Sequence, residues 1–147
     1  NMITINTIEL NVDLKSKEEV LSYITKILER EERITSEEET FKSYVDREKQ
    51  GTTGIGFGLA IPHCKAESVL TPTIVYISLK NPIDWKSLDD KPVHVIIGLA
   101  IPKKLSGTLY LEILSSLASN LMEDDFRDNL FSMNNKNDLI KFLQESL

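Results

Sequence analysis

A chain of 147 residues with 41% apolar and 27% charged side chains has the makeup of one globular domain, large enough to bury a core unaided. Its formal charge of −6, from 17 basic and 23 acidic residues, argues against a nucleic-acid partner, which needs clustered Lys and Arg. The single cysteine, Cys64, excludes an internal disulfide and points to a reducing compartment.

Asn1 stands before Met2 and is read as foreign to the natural chain, so the domain is taken as residues 2–147. The N-terminus has no basic stretch followed by an apolar one, so no secretory leader is expected. Met2–Leu10, rich in Ile and Thr, reads as a strand start. Ser16 and Glu19 form a capping-box pattern, and Val20, Leu21, Ile24 and Leu28 follow at helical spacing. Ser36 and Glu39 repeat the signal ahead of Phe41, Tyr44 and Val45, and this second helix should fray near Gln50–Gly51.

The middle of the chain changes character. Gly54, Gly56 and Gly58 alternate in a stretch unsuited to a helix and read as a tight turn. That turn leads into Leu59-Ala60-Ile61-Pro62, a short strand stopped by its proline. Thr73–Leu79 and Val93–Ala100 are strand candidates, with a polar turn around Ser87–Pro92. The longest apolar run, Val93 to Ile101, is far short of the roughly 20 residues a membrane helix needs. Any link to a membrane is therefore indirect. Leu111, Leu114, Leu117, Ala118 and Leu121 make a stripe of helical period, and Phe126–Phe131 and Leu139–Leu147 suggest two closing helices. Helices, then strands, then helices imply a mixed sheet covered on both faces, an α/β fold in three α/β/α layers.

The inventory of reactive side chains is thin. His63, Cys64 and His94 show no metal-ligand spacing, so no metal site is expected. Gly54-x-Gly56-x-Gly58 precedes a strand rather than following one, so it is not the dinucleotide fingerprint, although amides near glycines can cradle a phosphate. His63 follows a proline at a strand end, where apolar Ala60-Ile61-Pro62 gives way to polar Lys65-Ala66-Glu67. A histidine at such a boundary is mostly neutral at pH 7, and its free ring nitrogen can attack phosphorus without a separate base.

Arg47-Glu48-Lys49 and Thr53-Gly54-Ile55-Gly56-x-Gly58-x-Ala60-Ile61-Pro62-His63 resemble the active-site signature of the fructose/mannitol-type EIIA family of the sugar phosphotransferase system (PTS). The likeness continues through Asn81-Pro82-Ile83-Asp84-Trp85, Lys91-Pro92-Val93 and Leu99-Ala100-Ile101-Pro102 to the Leu111–Leu121 stripe. It implies about four core strands, a cytoplasmic location and no metal or organic cofactor. It implies a phosphoryl relay, in which the carrier HPr phosphorylates Nε2 of His63 and a cysteine of an EIIB component then accepts the group for sugar uptake through EIIC. A regulatory use of the nitrogen type, in which phosphorylation controls a protein partner, shares the same histidine.

Arg47 matches a prominent arginine of the family pattern, and a guanidinium fork complements a transferring phosphoryl group. Thr53 and the amides from Gly54 onward are candidate donors to the phosphoryl oxygens. Tyr110 stands where many members carry a second histidine and is expected near His63, able to donate a hydrogen bond. Ile55 and Phe57 are candidates for a docking surface, with a core role equally open. His94 and Cys64 are read as structural.

Overall fold

The computed structural model describes residues 1–105 and 107–147. Its sheet is mixed and six-stranded, built from β1 (Ile8–Val12), β2 (Gly54–Gly56), β3 (Leu59–Ala60), β4 (His63–Ala66), β5 (Thr73–Ile83) and β6 (Val93–Pro102). The order is β1-β5-β6-β3-β2, with β4 also on β6. Strands β3 and β4 run parallel to β6 one after the other, Leu59 opposite Val95 and His63 opposite Leu99. The β5–β6 pair is antiparallel, and β1 lies parallel to β5. Six strands exceed the expected four because the lane beside β6 is broken at Ile61-Pro62 and because β2 adds an outer edge.

Alternation along β6 sorts the core into two halves. Val95, Ile97, Leu99 and Ile101 face one layer, whereas Ile96 and Ala100 face the other. On the second side lie α1 (Lys17–Arg30) and α2 (Glu37–Gln50), packing Leu21, Ile24, Leu28 and Tyr44 onto the sheet. Both helices begin where the sequence places them: Ser16 accepts from the Glu19 amide and Ser36 from the Glu39 amide. The opposite face is covered by α3 (Thr108–Leu121), α4 (Asp124–Ser132) and α5 (Lys136–Ser146). A three-layer α/β/α arrangement results.

Three local expectations shift. Ile5–Thr7 form a 3₁₀ turn, closed by reciprocal Thr4 and Thr7 side-chain bonds, so the first strand begins only at Ile8. His63 opens a strand rather than ending one, since pairing with β6 resumes after the proline. In α3 the buried line is Ile113, Leu117 and Leu121, and Leu111 is 62% exposed. Spacing of four residues keeps that line on one side, and Leu111 lies off it.

Leu117 is fully buried beneath the helix that also carries Tyr110. Leu117→Ala should cost about 2–5 kcal/mol, read as a lowered midpoint in urea unfolding.

Candidate active site

The break at Ile61-Pro62 makes the site. The imidazole of His63 turns back, and its Nδ1 lies 2.9 Å from the Ile61 carbonyl oxygen. A carbonyl only accepts, so Nδ1 carries the proton and Nε2 keeps its lone pair. That lone pair accepts a hydrogen bond from Nε of Arg47 at 3.0 Å. Arg47 sits in the last turn of α2, and its Nη1 donates to the Gly51 carbonyl at 2.8 Å. Neither contact uses a carboxylate, so the guanidinium keeps its full charge beside a neutral ring.

His63 is only 5% exposed, and burial is the main force holding its pKa below the ordinary 6.5. The bond to the Ile61 carbonyl opposes that shift, and the Arg47 charge adds to it. The ring is therefore neutral at pH 7. Next to it opens a cleft of about 550 Å³ between α2, β4 and the start of α3. The Tyr110 ring lies 5.8 Å from the imidazole, centroid to centroid. As expected, the two rings share one cleft.

Other expected residues stand elsewhere. Thr53 is buried, its amide and hydroxyl both donating to the Glu48 carboxylate while its oxygen accepts from Trp85 Nε1 at 3.2 Å. Both donors are spent, so Thr53 has none for a phosphoryl group. The Gly54 amide donates to Thr52 Oγ1 at 3.0 Å, and a Cβ there would collide with Ser87 Oγ. Glycine at 54 serves the close approach of the 85–90 loop, not the anion.

Ile55 packs partly buried against the core, which favours its core role. Phe57 is 47% exposed, with the Arg127 guanidinium 3.7 Å over its ring. It follows β2 at a left-handed turn completed by Gly58, whose φ is +78° and whose Cβ would collide with His94. The turn lies beside His94, about 17 Å along β6 from the position opposite His63 at 3.3 Å per residue. His94 is half-buried against Phe131, and Cys64 is buried beneath the sheet with its thiol pKa pushed up to about 12 by burial. A thiol held neutral there is no nucleophile.

A lone pair fixed by a backbone carbonyl, facing a cleft under an arginine with no carboxylate partner among the described residues, suits capture of an electrophilic anion. Comparison with known proteins agrees. The family model for the phosphoenolpyruvate-dependent sugar phosphotransferase system, EIIA 2, matches residues 1–146. The chain belongs to this EIIA family.

Its members are phosphotransferase components with a phosphohistidine intermediate. The chain is 32% identical over 144 residues to the PTS fructose-specific EIIABC component of Bacillus subtilis, covering 98% of this chain but 22% of that longer protein. It is 36% identical over 123 residues to the nitrogen regulatory protein of Pseudomonas aeruginosa, covering 84% of this chain and 79% of that one. In structure it resembles the nitrogen regulatory protein IIA-Ntr of Neisseria meningitidis, with a TM-score of 0.89 at 30% identity over 97% of this chain and 96% of that one.

Two residues of this EIIA domain were given no role of their own in the sequence reading. Glu48, adjacent to Arg47, gathers both Thr53 donors and Lys17 Nζ at 3.1 Å, tying the end of α2 to the loop that follows. Lys65, two residues beyond His63, lies with its Nζ 4.5 Å over the Tyr110 ring. The period of two along a strand could have found Lys65, because it must share the His63 face. Nothing in the sequence pairs Glu48 with Thr53 and Trp85.

Arg47 is one of the charges that lower the His63 pKa. Arg47→Gln should raise the midpoint of the His63 ring titration followed by proton NMR. The sign carries into stability. A histidine whose folded pKa is depressed stabilises the fold above the unfolded value of about 6.5, and this stabilisation is lost as pH falls below it. The variant should lose less stability than the parent between pH 6.5 and 5.

Proposed function

We propose that this chain is a cytoplasmic phosphocarrier that takes a phosphoryl group from HPr on Nε2 of His63 and passes it to a cysteine of an EIIB component. The observation that carries this reading is the bond from Nδ1 to the Ile61 carbonyl, which leaves the lone pair on Nε2 at the cleft. In the first step that pair forms the bond to phosphorus while the bond from phosphorus to the donor nitrogen breaks. The donor imidazole takes back its electron pair. The proton stays on Nδ1, donated to the Ile61 carbonyl, and the ring's positive charge offsets part of the phosphoryl's negative charge. Arg47 surrenders its contact with Nε2 and turns its donors to the equatorial oxygens. In the second step an EIIB thiolate attacks phosphorus and the pair returns to Nε2.

Sugar transport is the favoured use, supported by the family description and by the fructose-specific relatives. A regulatory reading draws on specific likenesses of its own, to the nitrogen regulatory protein and to IIA-Ntr. Both readings share the chemistry and differ in what drains it. Phe57 is kept as a docking residue, because an exposed aromatic ring backed by Arg127 offers a rigid apolar contact.

His63→Ala should lose all labelling by enzyme I, HPr and labelled phosphoenolpyruvate while keeping its circular dichroism spectrum and unfolding midpoint near those of the parent. Normal labelling of this variant would dismiss the relay. Draining of the label by one member of a panel of EIIB proteins supports transport, and retention against all of them favours regulation. Phe57→Ala should weaken HPr binding in a titration calorimeter, and unchanged affinity would remove Phe57 from the docking face.

A further inference from the structure

The cleft beside His63 is rimmed by both signs of charge, but its cations are not equivalent. Lys42 Nζ pairs with Asp46 at 2.8 Å, and Lys103 Nζ stands 4.0 Å from Glu67. Arg47 and Lys65 have no carboxylate within ion-pair distance among the described residues. Arg47 is held by the imidazole and by a backbone carbonyl, whereas Lys65 is held by the face of an aromatic ring. A site that leaves two cations without anions in one open cleft has room for an anion between them.

The amides of the glycine turn do not serve the cleft. The amides of Thr53, Gly54 and Phe57 donate to Glu48, Thr52 and Asp89. One guanidinium already committed to Gly51 by its Nη1 leaves phosphoryl oxygens on Nε2 for a second side chain to hold. Lys65 follows His63 by two residues on one strand, so both project to the same face with their Cα atoms about 6.6 Å apart. An extended lysine side chain spans that interval. The Lys65 Nζ lies 4.5 Å from the Tyr110 ring centre, and this ring lies 5.8 Å from the His63 ring.

We propose that Lys65, steered by the Tyr110 ring, is the second cation that holds the phosphoryl oxygens on His63, opposite Arg47. This assignment rests on the phosphocarrier reading and adds a catalytic residue to it. Tyr110 becomes a positioning residue that acts through its ring face, not its hydroxyl. A cation over a ring is attracted without being neutralised, so the ammonium stays parked near the histidine and free to swing onto an anion.

The test uses phosphorylated HPr as donor and compares the parent with Lys65→Met, Lys65→Arg, Tyr110→Phe and Tyr110→Leu. Lys65 is exposed, so its replacement leaves the fold intact. Lys65→Met should shift the phosphoryl exchange equilibrium with HPr about tenfold toward HPr, the size expected for one charge-assisted contact. In phosphorus NMR the titration of the phosphoryl group on His63 should move to higher pH, because a neighbouring ammonium favours the dianion. A purely structural role would leave that titration in place. Lys65→Arg should restore both readouts. Tyr110→Phe should match the parent. Tyr110→Leu should give part of the Lys65→Met effect and add nothing in the double variant. Parental exchange and titration in Lys65→Met overturn the Lys65 assignment alone. Absence of His63 labelling in the parent overturns the relay itself, so the two failures are distinct.

Discussion

The hydrogen bond from His63 Nδ1 to the Ile61 carbonyl is the contact on which the chemistry of this domain depends. Its origin is in the backbone. Strands β3 and β4 would form one continuous lane beside β6, but Pro62 has no amide to donate and interrupts the pairing. The Pro62 carbonyl still accepts from the Leu99 amide, so the ladder resumes at once. The Ile61 amide donates outward to the Thr53 carbonyl, so the Ile61 carbonyl also faces away from β6 and is taken by the imidazole. One backbone carbonyl thus selects the tautomer, and the tautomer selects the nucleophilic nitrogen.

The same break decides which neighbours the histidine meets. Beyond Pro62 the lane is an edge, since β2 pairs only with β3. An edge strand leaves its side open to both helical layers. Arg47 reaches it from the end of α2 on one side, and Tyr110 from the start of α3 on the other. Burial within this corner keeps the ring neutral, and a neutral ring tolerates the nearby guanidinium that a charged one would repel. Asp46 and Glu67 at the cleft are paired with Lys42 and Lys103, so a local pair of unneutralised cations survives in an acidic chain.

Much of this was legible in the residues. Capping serines at 16 and 36 and the apolar periods behind them located both N-terminal helices, and the proline at 62 marked the boundary where His63 sits. Thr53 and Gly54 were misplaced because a glycine-rich stretch looks alike whether its amides face a ligand or its own chain. What separates the cases is the set of partners the motif does not show: Glu48 and Thr52 take the donors, and Trp85 and Ser87 return over the turn after β5 to take the Thr53 oxygen and the space. The Leu111 register was misread for a related reason. Several leucines on one helix fit more than one stripe, and the sheet chooses which stripe is buried.

A carrier must hold its cargo firmly enough to exist in the loaded state and loosely enough to unload. A buried network of fully paired donors around the phosphoryl group would deepen that state and slow its exit, since each fixed charge-assisted bond must break before transfer. The arrangement here avoids this. Arg47 is tethered by the Gly51 carbonyl, whereas Lys65 is exposed and held only by a ring. An approaching partner can draw that ammonium away or supply its own charge in exchange. In the proposed relay, one rigid cation and one mobile cation permit both capture and release at the same nitrogen.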